Sequence, residues 1–268
     1  MKLKINSLLI IISLINFSCN DYRKLFKTEG YEKKLEAALN YYENEEYYKA
    51  GTLFEDIKPI VKGTDKSEMV DFYFAYCLYH QKQFILSANY FKEFIELYSR
   101  SDRAIEAEYL YGYSLYMDSP NYDLDQSSSF GAIEAIQSFI NKYPYNHFSK
   151  DASNLLTELR IKIEKKNFYN AKLYFKTRTY KSAIIALENF QNEFPGSIFE
   201  EESYYLIILS QFTIAKSSFE EFKKERFKKV TDYYIKFIDK YPKSAFIEEV
   251  EKMYVESLDF LGTFAKKK

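Results

Sequence analysis

Cys77 and His80 stand three residues apart in "FAYCLYHQ", a spacing that would put a thiol and an imidazole on one face of a helix. Together they could give two ligands to a zinc ion, which takes four. The only other histidine is His147 and the only other cysteine is Cys19, so no second ligand pair is at hand and neither metal nor cofactor is expected. The simpler reading makes Cys77 a buried free thiol, His80 a tolerated neighbour and His147 a surface residue. No Gly-rich phosphate loop, Gly-x-Ser-x-Gly elbow or His-Glu-x-x-His pair occurs. Carboxylates are plentiful, as at Glu200 to Glu202, but acids at helix starts are accounted for by the helix dipole. A glycosidase would need two acids opposed across a cleft, and nothing marks such a pair. The chain is therefore not expected to be an enzyme.

Cys19 carries a different chemistry. Lys2 and Lys4 make a basic start, Leu8 to Ile15 an apolar run too short to span a bilayer, and Ser18 a small residue before the cysteine. A cysteine placed there is what lipoprotein signal peptidases act on. Residues 1–18 are thus expected to be a lipoprotein signal peptide, Cys19 the lipidated N-terminus, and 19–28 a tether; several acyl chains hold a protein at a membrane far more firmly than one. With Cys19 lipidated, Cys77 has no disulfide partner.

The elements that would sit behind this tether are helices. Only 7 Gly and 5 Pro against 29% charged residues argue against a many-stranded fold. A net charge of −1 with no basic stripe gives no sign of nucleic acid. One phrase recurs: a small or short residue, an apolar residue four on, Phe three further, an aromatic four further, then Pro or Ser. It reads Ser87, Phe91, Phe94, Tyr98, Ser99; Ala132, Ile136, Phe139, Tyr143, Pro144; Ala183, Leu187, Phe190, Phe194, Pro195; and Val230, Tyr234, Phe237, Tyr241, Pro242. A fainter copy is Ala50, Phe54, Ile57, Val61. Spacings of 4, 3 and 4 lie on one helical face, and the proline ends the helix. Ser101, Asn146, Ser197 and Ser244 follow where a new helix would be capped.

Successive copies are 37 to 51 residues apart, the period of stacked helical hairpins. In three copies a second small residue, Ala38, Ala75 or Ala171, comes twelve before the first, as in tetratricopeptide repeats where two helices cross closely. In the third unit Gly112 takes that role twenty residues before Ala132, so "DSPNYDLDQSSS" is read as a long inserted loop. From Phe148 to about Thr177 the pattern fits one long helix, or two with a soft break near Asn167. "FEEFKKERFKKV" from Phe219 is a solvated helix face.

The expected fold is all-α: a tetratricopeptide-like helical-hairpin solenoid of about five repeats, one superhelical domain over 29–265 with a concave groove. The repeats fall at about 29–64, 66–99, 101–144, 147–195 and 197–242, and a capping helix over 244–262 closes the stack. The aromatic run "DFYFAYCLY" admits two readings. Either it is sandwiched between neighbouring hairpins, or part of it lines the groove and contacts an extended peptide.

A lipidated cysteine followed by five such units resembles the BamD family, lipoproteins of the outer-membrane β-barrel assembly machinery. The resemblance covers Cys19 to about Tyr254 and is carried by "GTDKSEMVDFYFAYCLYHQKQFILSANYFKEFI", "DSPNYDLDQSSS" with "AIEAIQSFINKYP", and "NAKLYFKTRTYKSAIIALENFQNEFP". It implies a non-enzymatic scaffold, lipid-anchored to the periplasmic face of the outer membrane. The implied partners are the POTRA domains of a BamA-like barrel protein and unfolded outer-membrane β-barrel substrates. Carried onto this chain, Phe72, Tyr73, Tyr76 and Tyr79 become the candidate substrate-peptide groove, and the region from Ser197 to Glu251 the BamA-facing surface. Two other classes fit the same repeats: a lipoprotein organising periplasmic envelope or division enzymes, and a glycan-binding lipoprotein. The glycan-binding class usually displays Trp, of which the chain has 0.

Overall fold

The computed structural model describes residues 22–27 and 30–266. Among these, all regular structure is helical. After a single helical turn at residues 22–25, eleven helices follow among the described residues: α1 (Glu32–Glu43), α2 (Tyr47–Val61), α3 (Ser67–His80), α4 (Phe84–Leu97), α5 (Ala104–Asp118), α6 (Ser127–Lys142), α7 (Ser149–Lys176), α8 (Tyr180–Glu193), α9 (Glu200–Lys216), α10 (Glu220–Lys240) and α11 (Ile247–Lys266). Taken in pairs they make five hairpins and a closing helix, a tetratricopeptide-like solenoid.

The recurring phrase is the second helix of each hairpin. Ala50, Phe54, Ile57 and Val61 in α2, Ser87, Phe91 and Phe94 in α4, and their counterparts in α6, α8 and α10 are buried, apart from half-buried Tyr234. Each buried Phe contributes about 1.5–3 kcal/mol of hydrophobic burial. The aromatic at the end of each phrase is the residue after the helix: Tyr98, Tyr143, Phe194 and Tyr241 share φ between −123° and −130°. Ser99, standing where the others have Pro, leaves Tyr98 in the same conformation.

Helix starts differ from expectation. The α-helices begin three residues beyond the predicted caps, at Ala104, Ser149, Glu200 and Ile247. The predicted residues instead cap a preceding tight turn. Ser101, Asn146, Ser197 and Ser244 accept side-chain hydrogen bonds from the amides of Arg103, Phe148, Phe199 and Phe246 at 3.0–3.3 Å. Their carbonyls accept from residues three further on. The side chains sit where sequence puts them; the first turn is wound more tightly than an α-helix.

Within hairpins the turns are short. Residues 44–46, 81–83 and 177–179 each place their middle residue, Glu45, Lys82 or Arg178, in the left-handed region at φ 60°. The amides that follow bond back to Tyr41, Leu78 and Tyr174 carbonyls at 2.8–2.9 Å, closing the helix end. The inserted loop is shorter than expected, because Ser127 to Ser129 already belong to α6. α7 is one continuous helix, with no break at Asn167, whose side-chain amide donates to the Ile163 carbonyl at 3.0 Å.

The described residues form two compact units, one within 1–120 and 126–157, the other within 121–125 and 158–268. In the first, each helix from α1 to α6 packs on the next, and Ala38, Ala75, Ala107 and Gly112 are buried where helices meet. Ser87 Oγ donates to the Ala75 carbonyl at 3.0 Å, across one of the predicted crossings. In the second unit, α8 to α11 pack in succession and the far half of α7 adds Phe168 and Ala171 to a core with Ile184, Leu187, Leu206 and Ile207. Loop residue Tyr122 belongs here too, with Lys165 Nζ 4.2 Å above its ring and Tyr169 beside it.

Candidate partner-binding surfaces

Cys19 and the signal segment lie outside the described residues. The chain that follows is docked onto the first hairpin. Tyr22 meets Tyr41 edge-on at 5.6 Å and Phe26 at 5.3 Å, its hydroxyl donates to the Lys49 carbonyl at 3.4 Å, and Leu25 packs against the α1/α2 core.

Of the four candidate groove residues, Phe72 is a correction. It is 4% exposed and packs edge-on against Phe91 and Phe94 between α3 and α4, so it is core and cannot line an open groove. Its position follows from the phrase: α4 needs a large apolar partner facing its two Phe side chains. Tyr73 is half-buried between Tyr42 and Phe54. Tyr76 and Tyr79 are also half-buried, and they extend a chain of touching rings from Tyr42 of α1 through α3 to Tyr113 and Tyr116 of α5. Tyr76 also donates to Glu106 Oε1 at 3.3 Å. Burial pushes both phenols up to about 12, and Glu106 and Tyr113 add to the effect, so these two stay neutral at ordinary pH. The run is thus both sandwiched and partly open. Tyr42 and Tyr113, which complete the ladder, lie more than thirty residues from Tyr76 and carry no local signal.

The thiol and imidazole part company. Cys77 is buried in the core of the first two hairpins, its pKa pushed up by burial to about 12. His80 is exposed and stacks flat on Tyr47 at 3.9 Å, partial burial lowering its pKa. His147 is exposed beside Phe148. Among the described residues no group of three or more His, Cys, Asp or Glu is arranged to hold a metal ion.

A cavity of about 580 Å³ opens between α2 and α4, lined by Lys58, Lys62, Asp71, Tyr90, Leu97 and Tyr98 among others. Asp71 is buried at its floor. Its Oδ2 accepts from Tyr98 at 2.8 Å, and Lys58 Nζ lies 3.2 Å from Oδ1 as an ion pair without hydrogen-bond alignment. Lys58 also sits 4.2 Å above the Tyr90 ring. The sequence signal was there: an aspartate inside a run of aromatics needs a partner when buried.

In the second unit, the stretch from Ser197 to Glu251 is organised by Glu200. This carboxylate is buried and accepts from Lys240 Nζ, from Tyr241 Oη at 2.9 Å and from the Gly196 amide at 3.1 Å. Burial alone would raise its pKa; the three donors outweigh that and hold it below the ordinary carboxylate value. Ser244 likewise donates to Glu201, and Lys172 to Glu202 at 2.5 Å. The acids at this helix start therefore hold neighbouring elements together, a role beyond complementing the dipole. Ile198, Phe219 and Ile235 are exposed apolar residues in the same stretch. The outer face of α11 sets Glu248, Glu251, Glu256 and Asp259 around Val255.

Among the described residues no helix is long and apolar enough to cross a membrane. The molecule is thus a helical-hairpin repeat protein in which buried polar groups such as Asp71, Ser87 and Glu200 tie packed helices together. Residues 28–203, which take in α1 to α8 and the first turn of α9, match the YfiO family, described as outer membrane lipoprotein, and the chain belongs to that family. No curated protein matches it.

Proposed function

We propose that the protein is a BamD-like scaffold of outer-membrane β-barrel assembly, anchored through lipidated Cys19 at the periplasmic face of the outer membrane. Membership of the outer membrane lipoprotein family across four consecutive hairpins is the observation that carries this reading. The hairpins offer peptide-sized aromatic surface and no constellation that suggests catalysis, so the role is one of holding partners. In this reading the open edges of Tyr73, Tyr76 and Tyr79, with Tyr42 and Tyr113, receive the aromatic-rich C-terminal segment of an unfolded barrel protein. Aromatic rings suit that task, since ring contacts give modest affinity and permit hand-over. The region from Ser197 to Glu251 faces the POTRA domains of a BamA-like partner, its exposed Ile198, Phe219 and Ile235 being suited to anchor a protein interface.

Titration of the purified protein with a barrel-protein C-terminal peptide tests the groove. Tyr79→Ala is expected to weaken binding by roughly ten-fold, the scale of one ring contact of about 1 kcal/mol plus lost burial. Tyr76→Phe keeps the ring, loses only the bond to Glu106, and is expected to bind as the parent does. Unchanged affinity in Tyr79→Ala, with the helical signal intact, removes the groove.

A further inference from the structure

The exposed apolar residues of the first unit obey the repeat. Two residues before the small crossing residue of each second helix, before Ala50, Ser87 and Ala132, stand Tyr48, Ile85 and Phe130, which are 71%, 49% and 57% exposed. The same position in the fourth and fifth hairpins, two before Ala183 and Val230, holds exposed lysines, Lys181 and Lys228. A large apolar side chain kept open to solvent at one register in three successive hairpins is not required by packing, and the lysines demonstrate that the fold accepts a charge there.

The line begins where the tether is docked. Tyr22 is bonded to the Lys49 carbonyl, next in sequence to Tyr48, and Tyr48 is close enough to perturb the Tyr22 phenol. Two residues separate Cys19 from Tyr22, and the three Cα-to-Cα steps between them span at most about 11 Å in any conformation. Between them and the first hairpin come exposed Arg23, Phe26 and Lys27. Glu45 and Glu46 lie beside Tyr48, and Glu46 is paired with Lys49.

We infer that the edge of the first unit bearing Tyr48, Ile85 and Phe130, with Phe26 and the basic side chains of the docked segment, rests on the lipid surface. It would lie at headgroup depth against a leaflet containing anionic phospholipid. This rests on the lipid-anchor reading of Cys19. Amphipathic rings and aliphatic side chains settle at a membrane interface while Lys and Arg reach the headgroups, and a short tether leaves the docked hairpin little freedom to turn away. The edge therefore orients the first unit relative to the bilayer, which an acyl anchor alone does not.

The test uses the full-length lipoprotein, purified from membranes and reconstituted into phosphatidylethanolamine–phosphatidylglycerol vesicles. Tyr48→Cys, Phe130→Cys and Tyr145→Cys variants are labelled with an environment-sensitive fluorophore; Tyr145 is 99% exposed in the turn after α6. It lies roughly 20 Å along that helix from Phe130 at 1.5 Å per residue. Spin-labelled lipid is then added as quencher. Emission at positions 48 and 130 is expected to shift to the blue and to fall about two-fold, with that at 145 little changed. Quenching no stronger at 48 and 130 than at 145, in protein whose intact mass carries the acyl groups, overturns the membrane-facing edge alone. A mass without acyl groups removes the anchor and this inference together.

Discussion

Tyr241 donates its hydroxyl to Glu200 Oε2 at 2.9 Å, tying the end of α10 to the start of α9 in the fifth hairpin. The preceding residue, Lys240, grips the other oxygen of the same carboxylate. The third hairpin repeats the device, with Lys142 and Tyr143 both on Glu108, and the second uses Tyr98 on Asp71 with Lys58 in place of the adjacent lysine. In these three hairpins the tyrosine that follows the second helix is therefore a hydrogen-bonding strut as well as a stop signal, whereas Phe194 in the fourth has no hydroxyl to serve as one.

Glu200→Gln is expected to destabilise the protein by about 2 kcal/mol, the loss for hydrogen bonds to a buried charge. Glu108→Gln should cost less, about 1 kcal/mol, because its partner Lys142 is more than half exposed and screened by solvent. Urea titration of the three proteins checks the order.

The Glu200 strut also has a pH signature. Its carboxyl titrates below the ordinary 4.5 in the folded protein, so its stabilisation is complete above that pH and fades as pH falls through the folded value. The stability gap between parent and Glu200→Gln is expected to be constant in the neutral range and to narrow below pH 4.5. A gap that widened on acidification would contradict the charge arrangement.

Glu45, Lys82 and Arg178 hold left-handed backbone without being glycine. Replacing each with Gly removes the Cβ clash and should stabilise by about 0.5–1 kcal/mol after the extra freedom of the unfolded chain is deducted. The effects should add, since the turns are separate. Thermal melts of the single and triple variants measure this.

Two glycines make a matched pair. A Cβ on Gly112 would meet Ile136 Cγ1 at 2.9 Å, so Gly112→Ala should destabilise by about 1–3 kcal/mol. A Cβ on Gly131, within α6, meets nothing within 4 Å, and Gly131→Ala should stabilise by about 0.5–1 kcal/mol.

Much of this architecture was legible in the residues. The 4, 3, 4 spacing located all five second helices and their buried faces, because one helical face is a local property. The small residues twelve apart located the crossings for the same reason. What stayed hidden depends on chain brought together from a distance. The left-handed turns lack the Gly that would announce them. Phe72 reads as one aromatic among several in "DFYFAYCLY" until α4 supplies Phe91 and Phe94 against it. The Glu200 strut joins residues 40 and 41 apart, and a glutamate at a helix start looks the same whether it faces water or a lysine.

The central claim, a lipid-anchored scaffold of barrel assembly, is tested most directly by purifying the C-terminally tagged protein from gently solubilised envelopes and identifying the chains that come with it by mass spectrometry. A POTRA-bearing barrel protein in near-equal amount is the predicted result. Its absence, with division or cell-wall enzymes recovered in its place, would contradict the account while leaving the helical-hairpin fold intact.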